Sequence, residues 1–502
     1  MVKRFSMIAL ASLIALPLMA SASAGPNVSD MERKIEELSA ELDKLKAGLA
    51  AQGAELANQG EVVGALDEKS EAWDLAARIK FYGDFRTRLD SYSADTVSGR
   101  TISNDTLWTN RFRLNMRVNA SENVEFKARF AMYKAWGMES QFDDGSRAMW
   151  PVFDGNTTRT PNDNALRVDR AIINWNNIGG APVWFSIGRR PTTDGPPAQI
   201  RMNNNTRMAT PLSYMDYPFD GLTLGAAYNW PGEVGTGRIR FCYGRGFEAG
   251  LLEDDANHNV DMDFAGFSWD VLKKENRLLY VQTYMAYNLV NYPNFEDPII
   301  SANFGSEAMS NMGDRTTNGN IWHSAALYKD KLGPVNLFIA GSYSQTQPGS
   351  AGLLNDFAGM MMGTTGPNTD NEGGYSVYLG ARYDIDAIGL KLGAEFNWGS
   401  ENWVAMAPGH DDIYQSKLAT RGSVFEVYGI YDLPTGEMVS KYAQTFIRFG
   451  YQHYEYDYSG SGDWNMKPYD LSDPMDTMIL AMMGQDPVES ADQLYLTFEA
   501  YF

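Results

Sequence analysis

In three stretches of this chain nearly every second residue is a cation. Arg78, Lys80, Arg86 and Arg88 alternate with Ile79, Phe81, Phe85, Thr87 and Leu89. Arg111, Arg113 and Arg117 alternate with Phe112, Leu114, Met116 and Val118, and Lys127 and Arg129 alternate with Phe126, Ala128 and Phe130. Asp84 and Glu125 are the acids of the same parity. Arg238 and Arg240 repeat the pattern further on, Arg382 and Lys391 are balanced by Asp384 and Glu395, and Glu426 and Glu499 add carboxylates. A two-residue period sends these side chains to one face of an extended backbone. Cations lining a confined aqueous passage lower the barrier for anions and orient dipolar solutes. The implied chemistry is electrostatic selection, with a basic wall facing a more mixed or acidic one. The plainer reading is a charged wall that stays wet and pairs with loops folded against it.

Bond-making chemistry has little support. The four histidines, His258, His323, His410 and His453, are far apart, and no H-x-x-x-H or G-x-S-x-G spacing occurs. No C-x-x-C-H is present for covalent haem attachment. Asp255, Asn257, Asn259 and Asp261 alternate as in a calcium loop, but Val260 stands where an EF-hand needs Gly and Gly266 where it needs a closing Glu. A solvated loop is the better reading. Met360–Met362 and Met475, Met478, Met482 and Met483 form two thioether-rich patches. Thioethers bind Cu(I), yet these spacings read as short helices or a plug turn in which Met fills irregular packing. Cys242 is the single cysteine, cannot form an internal disulfide, and reads as a small inward wall residue. The expectation is no enzyme, no metal and no cofactor.

The elements that must position the cations are β-strands. Period-two patterning predicts sixteen, near 77–90, 107–119, 124–135, 165–176, 182–190, 219–230, 237–245, 261–270, 277–289, 320–329, 334–345, 374–385, 389–399, 423–431, 443–456 and 493–502. Long connections are expected after odd strands and short ones after even strands, as in a membrane barrel with short periplasmic turns and long outer loops. Trp136 and Trp398 sit on the apolar parity at the outer ends and Trp230 at the periplasmic end, where interfacial aromatics belong. The last strand carries Leu494, Leu496, Phe498, Ala500 and Phe502 on one face and Gln493, Thr497 and Glu499 on the other, with Tyr495 and Tyr501. A bare apolar edge invites aggregation, whereas a closed barrel needs such a strand to seal against its first. On this reading loss of Phe502 impairs insertion, and replacing Glu499 affects conduction more than folding.

The start of the chain reads as a leader: Lys3 and Arg4, an apolar run from Met7 to Met19, then Ala22-Ser23-Ala24, giving a signal peptide over 1–24. Residues 31–66 carry a heptad with Ile35, Leu42, Leu49, Leu56 and Val63 at one core position and Met31, Leu38, Leu45, Gln52, Gln59 and Leu66 at the other. Gly48, Gly53, Gly60 and Gly64 weaken its second half. A periplasmic coiled-coil segment over 25–72 is expected, with the barrel over 73–502. The net charge of −21 argues against nucleic acid as a partner.

Phe81-Tyr-Gly-Asp-Phe-Arg-Thr-Arg88, Asn110-Arg-Phe-Arg-Leu114, Ile187-Gly-Arg-Arg-Pro-Thr192 and Phe219-Asp-Gly221 resemble porin strand and loop-edge phrases. The terminal strand ending in Phe502 resembles the assembly signal of Gram-negative outer-membrane barrels. With its N-terminal segment the chain is similar to porin-like proteins of metal-respiring bacteria. The resemblance implies an all-β transmembrane barrel, passive diffusion of small hydrophilic solutes or ions, trimers, and dealings with outer-membrane lipid and the barrel-assembly machinery. It places a constricting loop at 136–164. Two other readings are a scaffold sheathing a separate cytochrome in an electron conduit and a plugged envelope anchor.

Overall fold

The computed structural model describes residues 28–137, 161, 164–190, 195–204, 211–212, 219–248, 261–290, 317–407, 412, 416–434 and 444–502. The leader over 1–24 lies outside them. The chain divides into two units, Met1–Ala76 and Ala77–Phe502.

The first unit is built on α1, Val28–Arg78. Ile35, Leu38, Leu42, Leu45 and Leu49 are all exposed along it, while the side chain of Leu56 lies outside the described residues. Glycines at 48 and 53 do not interrupt the helix. The helix runs past the expected boundary at 72. Arg78 therefore ends α1 and does not stand on the first strand, which corrects its expected place on the wall.

The second unit is a closed antiparallel barrel. Its strands are β1 (Ile79–Thr96), β2 (Thr101–Asn119), β3 (Val124–Ala135), β4 (Arg167–Trp175), β5 (Val183–Arg189), β6 (Asp220–Asn229), β7 (Thr236–Phe247) and β8 (Met262–Lys274), followed by β9 (Arg277–Val290), β10 (Thr317–Leu332), β11 (Val335–Pro348), β12 (Gly373–Ile385), β13 (Leu390–Gly399), β14 (Gly422–Asp432), β15 (Gln444–Tyr456) and β16 (Val488–Tyr501). Each pairs with its sequence neighbours, and β1 pairs with β16. Closure leaves no strand edge unpaired, the condition hydrocarbon imposes on any sheet that crosses it. At the seam Arg86 stands opposite Glu499 and Leu89 opposite Leu496. Past the last strand residue, Gly83 and Phe502 still exchange backbone hydrogen bonds at 2.7 and 3.0 Å. A Cβ on Gly83 would lie 2.4 Å from the Arg113 carbonyl and 2.9 Å from the Phe502 ring, so only glycine fits there.

The alternation in sequence becomes an alternation of environment. On β16, Leu494, Leu496 and Phe498 are exposed, as is Phe502 just beyond it, while Gln493, Tyr495, Thr497 and Glu499 are buried inside. The same holds for Phe81 and Phe85 against Asp84, Arg86 and Arg88 on β1. Trp136 and Trp398 are exposed at the end with long connections and Trp230 at the short-turn end. Trp108 stacks on Trp136 at 4.7 Å, and Tyr228 meets Trp230 edge-on at 5.3 Å. No described helix is long and apolar enough to cross a membrane.

One connection departs from the expected alternation. β1 and β2 run on through polar sequence and meet in a turn of four residues, 97–100, with Gly99 at φ 78°. Residues 91–106 lack apolar alternation, so periodicity missed them. Their pairing comes from the hairpin itself, aided by Thr101 donating to Asp95 at 2.6 Å.

Candidate functional site

The basic wall of β1–β4 is packed and largely neutralised. Arg86, Arg88, Arg111, Arg113 and Arg129 are all buried. Asp84 accepts from Arg113 at 2.7 Å and from Arg111 at 3.3 Å. Arg88 donates to Asp90 at 2.8 Å and lies 4.6 Å over the Tyr495 ring. Arg129 donates through Nε to Asp169 at 2.9 Å, and Arg86 donates to the Tyr133 hydroxyl at 3.1 Å. Arg238 and Arg240 share Asp270, at 2.7 and 3.5 Å. Asp90, Asp169 and Asp270 were not singled out from sequence, although Asp90 continues the Asp84–Arg86–Arg88 parity and could have been found that way.

The short-turn end is wetter. Lys80 is exposed, and Arg117, Lys127 and Arg238 each keep more than a third of their side chains in solvent. Glu125 binds both Lys127 and Arg117, the latter at 2.7 Å. Arg190, just past β5, differs from the ladder. It donates to the Ser186 hydroxyl at 2.5 Å and to the Thr223 hydroxyl at 2.7 Å, both neutral, and it feels the like charge of Arg240. Its neighbour Cys242 accepts from Thr223 at 3.5 Å.

The far wall holds an inward connection. The segment after β5 contains α2, Ala198–Arg201, all four residues buried. Arg201 reaches Glu426 of β14 at 2.9 Å and Asp412 at 3.0 Å. Asn203 donates to Asp432 at 2.7 Å and accepts from Lys391 at 2.6 Å. Arg382 donates to the Ile200 carbonyl, and the Tyr501 hydroxyl to the Met202 carbonyl at 3.0 Å. β5 and β14 lie on opposite sides of sixteen strands, so this connection spans the interior. It descends to the short-turn third, where Asp432 and Tyr501 end their strands. The expected constriction over 136–164 lies mostly outside the described residues. Among those described, 195–204 occupies the interior.

Lys417, from the connection after β13, joins the same cluster. It bridges Glu395 and Glu426, the latter at 2.6 Å, while Gln452 and the Tyr495 hydroxyl also donate to Glu426 at 3.0 and 2.6 Å. Arg201, Glu395, Asp412, Lys417 and Glu426 are buried, and the desolvation cost is met by multiple charge-assisted hydrogen bonds. Glu426, Lys391 and Arg382, expected as free lining, are latch points. Glu499 is buried as well, accepting from Arg448 at 2.9 Å and lying 3.9 Å from Arg111. Its replacement would remove the carboxylate to which Arg448 donates, so a cost to folding is expected beside any effect on conduction.

Inward faces of β9–β12 are mixed, with a large apolar cluster beside buried Gln282, His323, Ser342 and Arg382. Leu278, Tyr280, Leu327, Phe338 and Tyr378 pack on Ile200, Leu212, Trp403 and Leu418 from the connections. Above them, Arg421 donates to the carbonyls of Trp403, Ser459, Gly460 and Asp463 at 2.6–3.1 Å. The connections after β11 and β15 are stitched together: Leu354 donates to the Trp464 carbonyl and Asn355 to the Asn465 carbonyl, at 2.9 and 2.7 Å. Asp356 ties the same cap, pairing with Lys467 at 3.3 Å and accepting from Tyr469 at 3.1 Å. Burial alone would raise its carboxyl, but hydrogen bonds from Gly359 and Lys467, the Lys467 charge and the Tyr469 hydroxyl outweigh it and hold it below the usual range.

His258 and His410 lie outside the described residues. His323 is buried between Tyr284 and Trp403, and His453 pairs with Asp492 at 2.8 Å. Of the calcium-like run, 254–260 is outside, and Asp261 and Asp263 both bind Arg245. The methionine patches do form short helices, α3 (Phe357–Met361) and α4 (Pro474–Met482). Only part of the patches fills packing: Met483 packs against an apolar cluster, while Met361, Met362, Met475, Met478 and Met482 are exposed.

A family model described as a protein of unknown function, DUF3373, matches residues 101–502. The chain belongs to this family. The matched span starts at β2 and includes the inward connections, the far-wall cluster and the terminal strand of this DUF3373 protein. No curated protein matches it. Among solved structures, the DUF3373 barrel is similar to OmpF of Salmonella typhi in complex with daunomycin. That match has 12% identity and a TM-score of 0.42, and covers 84% of this chain and 97% of the other. It is also similar to OmpT, an outer membrane protein of Vibrio cholerae in trimer form. Here identity is 10% and the TM-score 0.38, with 84% and 99% covered.

Proposed function

We propose that this chain is an outer-membrane channel through which small hydrophilic solutes or ions pass by diffusion. The observation that carries this is the closed sixteen-stranded barrel, apolar outside and charged inside. A barrel of that size leaves room for an aqueous passage beside inward loops. The apolar girth supports a place in outer-membrane lipid, reached through the barrel-assembly machinery, with the short turns and both termini in the periplasm. The exposed leucine stripe of α1 supports a coiled coil and hence a homotrimer. No catalytic role is proposed for any residue.

The interior favours anions. Arg190, bonded to two hydroxyls with no carboxylate beside it among the described residues, and exposed Lys80 support a positive path. Arg117, Lys127 and Arg238 are wet but share Glu125 and Asp270, and the ladder of Arg86, Arg88, Arg111, Arg113 and Arg129 serves to hold the wall. Planar-bilayer recording in a salt gradient tests this. Stepwise conductance with an anion-signed reversal potential is expected, and a cation-signed potential overturns the preference.

One observation favours the plugged-anchor reading: loops from after β5 and β13 pack the interior through buried ion pairs, and the loop after β15 is held to them by hydrogen bonds from Arg421 to its carbonyls. It predicts a silent wild-type barrel. The same loops argue against a cytochrome sheath, which needs that space for its partner. Purified protein carrying a Soret band would revive it.

A further inference from the structure

The connections after β11 (349–372) and β15 (457–487) are both fully described, and every large apolar side chain they leave exposed is a methionine. On α4 the choice is ordered. Met475, Met478 and Met482 are 58%, 52% and 73% exposed. Leu480 is buried, and Ile479 and Met483 pack against Tyr454, Tyr469 and Leu471. The helix is thus anchored by aliphatic groups on one face and shows thioethers on the other. Spacings of three and four residues place Met475 and Met482 on either side of Met478, with Cβ atoms of each adjacent pair about 5–6 Å apart.

Neither helix formation nor solubility calls for this. Leucine forms helices as well as methionine does, and a polar residue would suit water better. What methionine alone adds is a soft sulfur donor on a chain with three rotatable bonds. Three such donors can converge over Met478 without moving the backbone. Thioethers are neutral, so a bound cation keeps its charge. Carboxylates of Asp473 and Asp476 at the start of α4, and the negative end of the helix dipole beside Met482, favour that charge.

We propose that the outer face of α4 binds one soft monovalent cation, of the Cu(I) or Ag(I) class, through Met475, Met478 and Met482. The site is independent of whether the barrel conducts. Detergent-purified full-length protein is titrated anaerobically with Cu(I) in competition with a chromophoric Cu(I) chelator. One equivalent per chain is expected to transfer to the protein, unaffected by excess Mg(II) or Ca(II). The triple variant M475L/M478L/M482L should bind at least tenfold more weakly, and M361L/M362L should bind as the wild type does. Leucine keeps volume and apolarity, so a surface that merely docks an apolar partner would survive the triple change. Heat-modifiable gel mobility reports that each variant has folded. Failure of the wild type to compete with the chelator, equal uptake by the triple-leucine variant, or loss that follows Met361 and Met362 overturns the proposal.

Discussion

Arg201 and Glu426 are 225 residues apart in sequence and 2.9 Å apart in the barrel interior. One comes from a connection and the other from a wall strand on the opposite side, so this pair fixes how far the connection reaches. Arg201→Gln removes the cation but leaves Glu426 its bonds from Lys417 and Tyr495. We expect the barrel to persist and the segment to loosen. Single-channel recording should show larger or noisier openings, and a protease should cut near residue 200 sooner. Unchanged conductance and cleavage would remove the latch role.

Glu499→Ala leaves Arg448 buried beside Arg111 with its carboxylate gone. Breaking a buried pair in this way costs about 3–5 kcal/mol. Refolding from urea into detergent should show a loss of that order, and Glu499→Gln, which keeps an acceptor, a smaller one.

Phe502 deletion and Gly83→Val attack the seam from its two sides. The first removes two backbone hydrogen bonds and an exposed ring, and the second forces a clash with the Arg113 carbonyl. Both should lower the yield of heat-modifiable barrel, Gly83→Val more severely. A full yield from either would show that the seam is held elsewhere.

Strand order, strand number and most boundaries could be read from sequence because one face of each strand meets an apolar medium. β3 falls on 124–135 in both readings, since Val124 to Met132 alternate without a break. The interior filling could not be read. Arg201, Lys417 and Arg421 lie in irregular segments with no period, and their partners are set by closure of the barrel. Parity told that Arg86 and Arg113 face inward but not that Asp84 and its kin would quench them, because pairing depends on register between strands.

Selectivity should follow Arg190, which has no carboxylate partner among the described residues. Arg190→Gln keeps hydrogen bonds to Ser186 and Thr223 within reach and deletes the charge. The reversal potential should move toward zero, with little change in stability. Arg113→Gln should do the opposite, costing stability through Asp84 and moving the potential less. A larger potential shift from Arg113 than from Arg190 would return selectivity to the ladder.

Acid should loosen the cap. The Asp356 carboxyl is depressed in the folded state, so its stabilisation is complete above its unfolded value and disappears as pH falls below about 4. Hydrogen exchange of 353–368 should accelerate on acidification. Glu372 and Asp457 are pushed up by burial first and neighbouring acids second, so protonation relieves them. Asp356→Asn separates these effects: exchange there should already be fast at neutral pH and respond less to acid.

The seam between β1 and β16 has a mechanical consequence. Parting those two strands would do more than break a ladder of hydrogen bonds, because Arg86, Arg88 and Glu499 sit directly behind it. A sideways gap would turn ionic groups toward hydrocarbon, at several kcal/mol for each charge left without its partner. The wall therefore resists lateral unzipping in proportion to the charge it conceals, and a solute carried by the proposed channel would have no sideways exit.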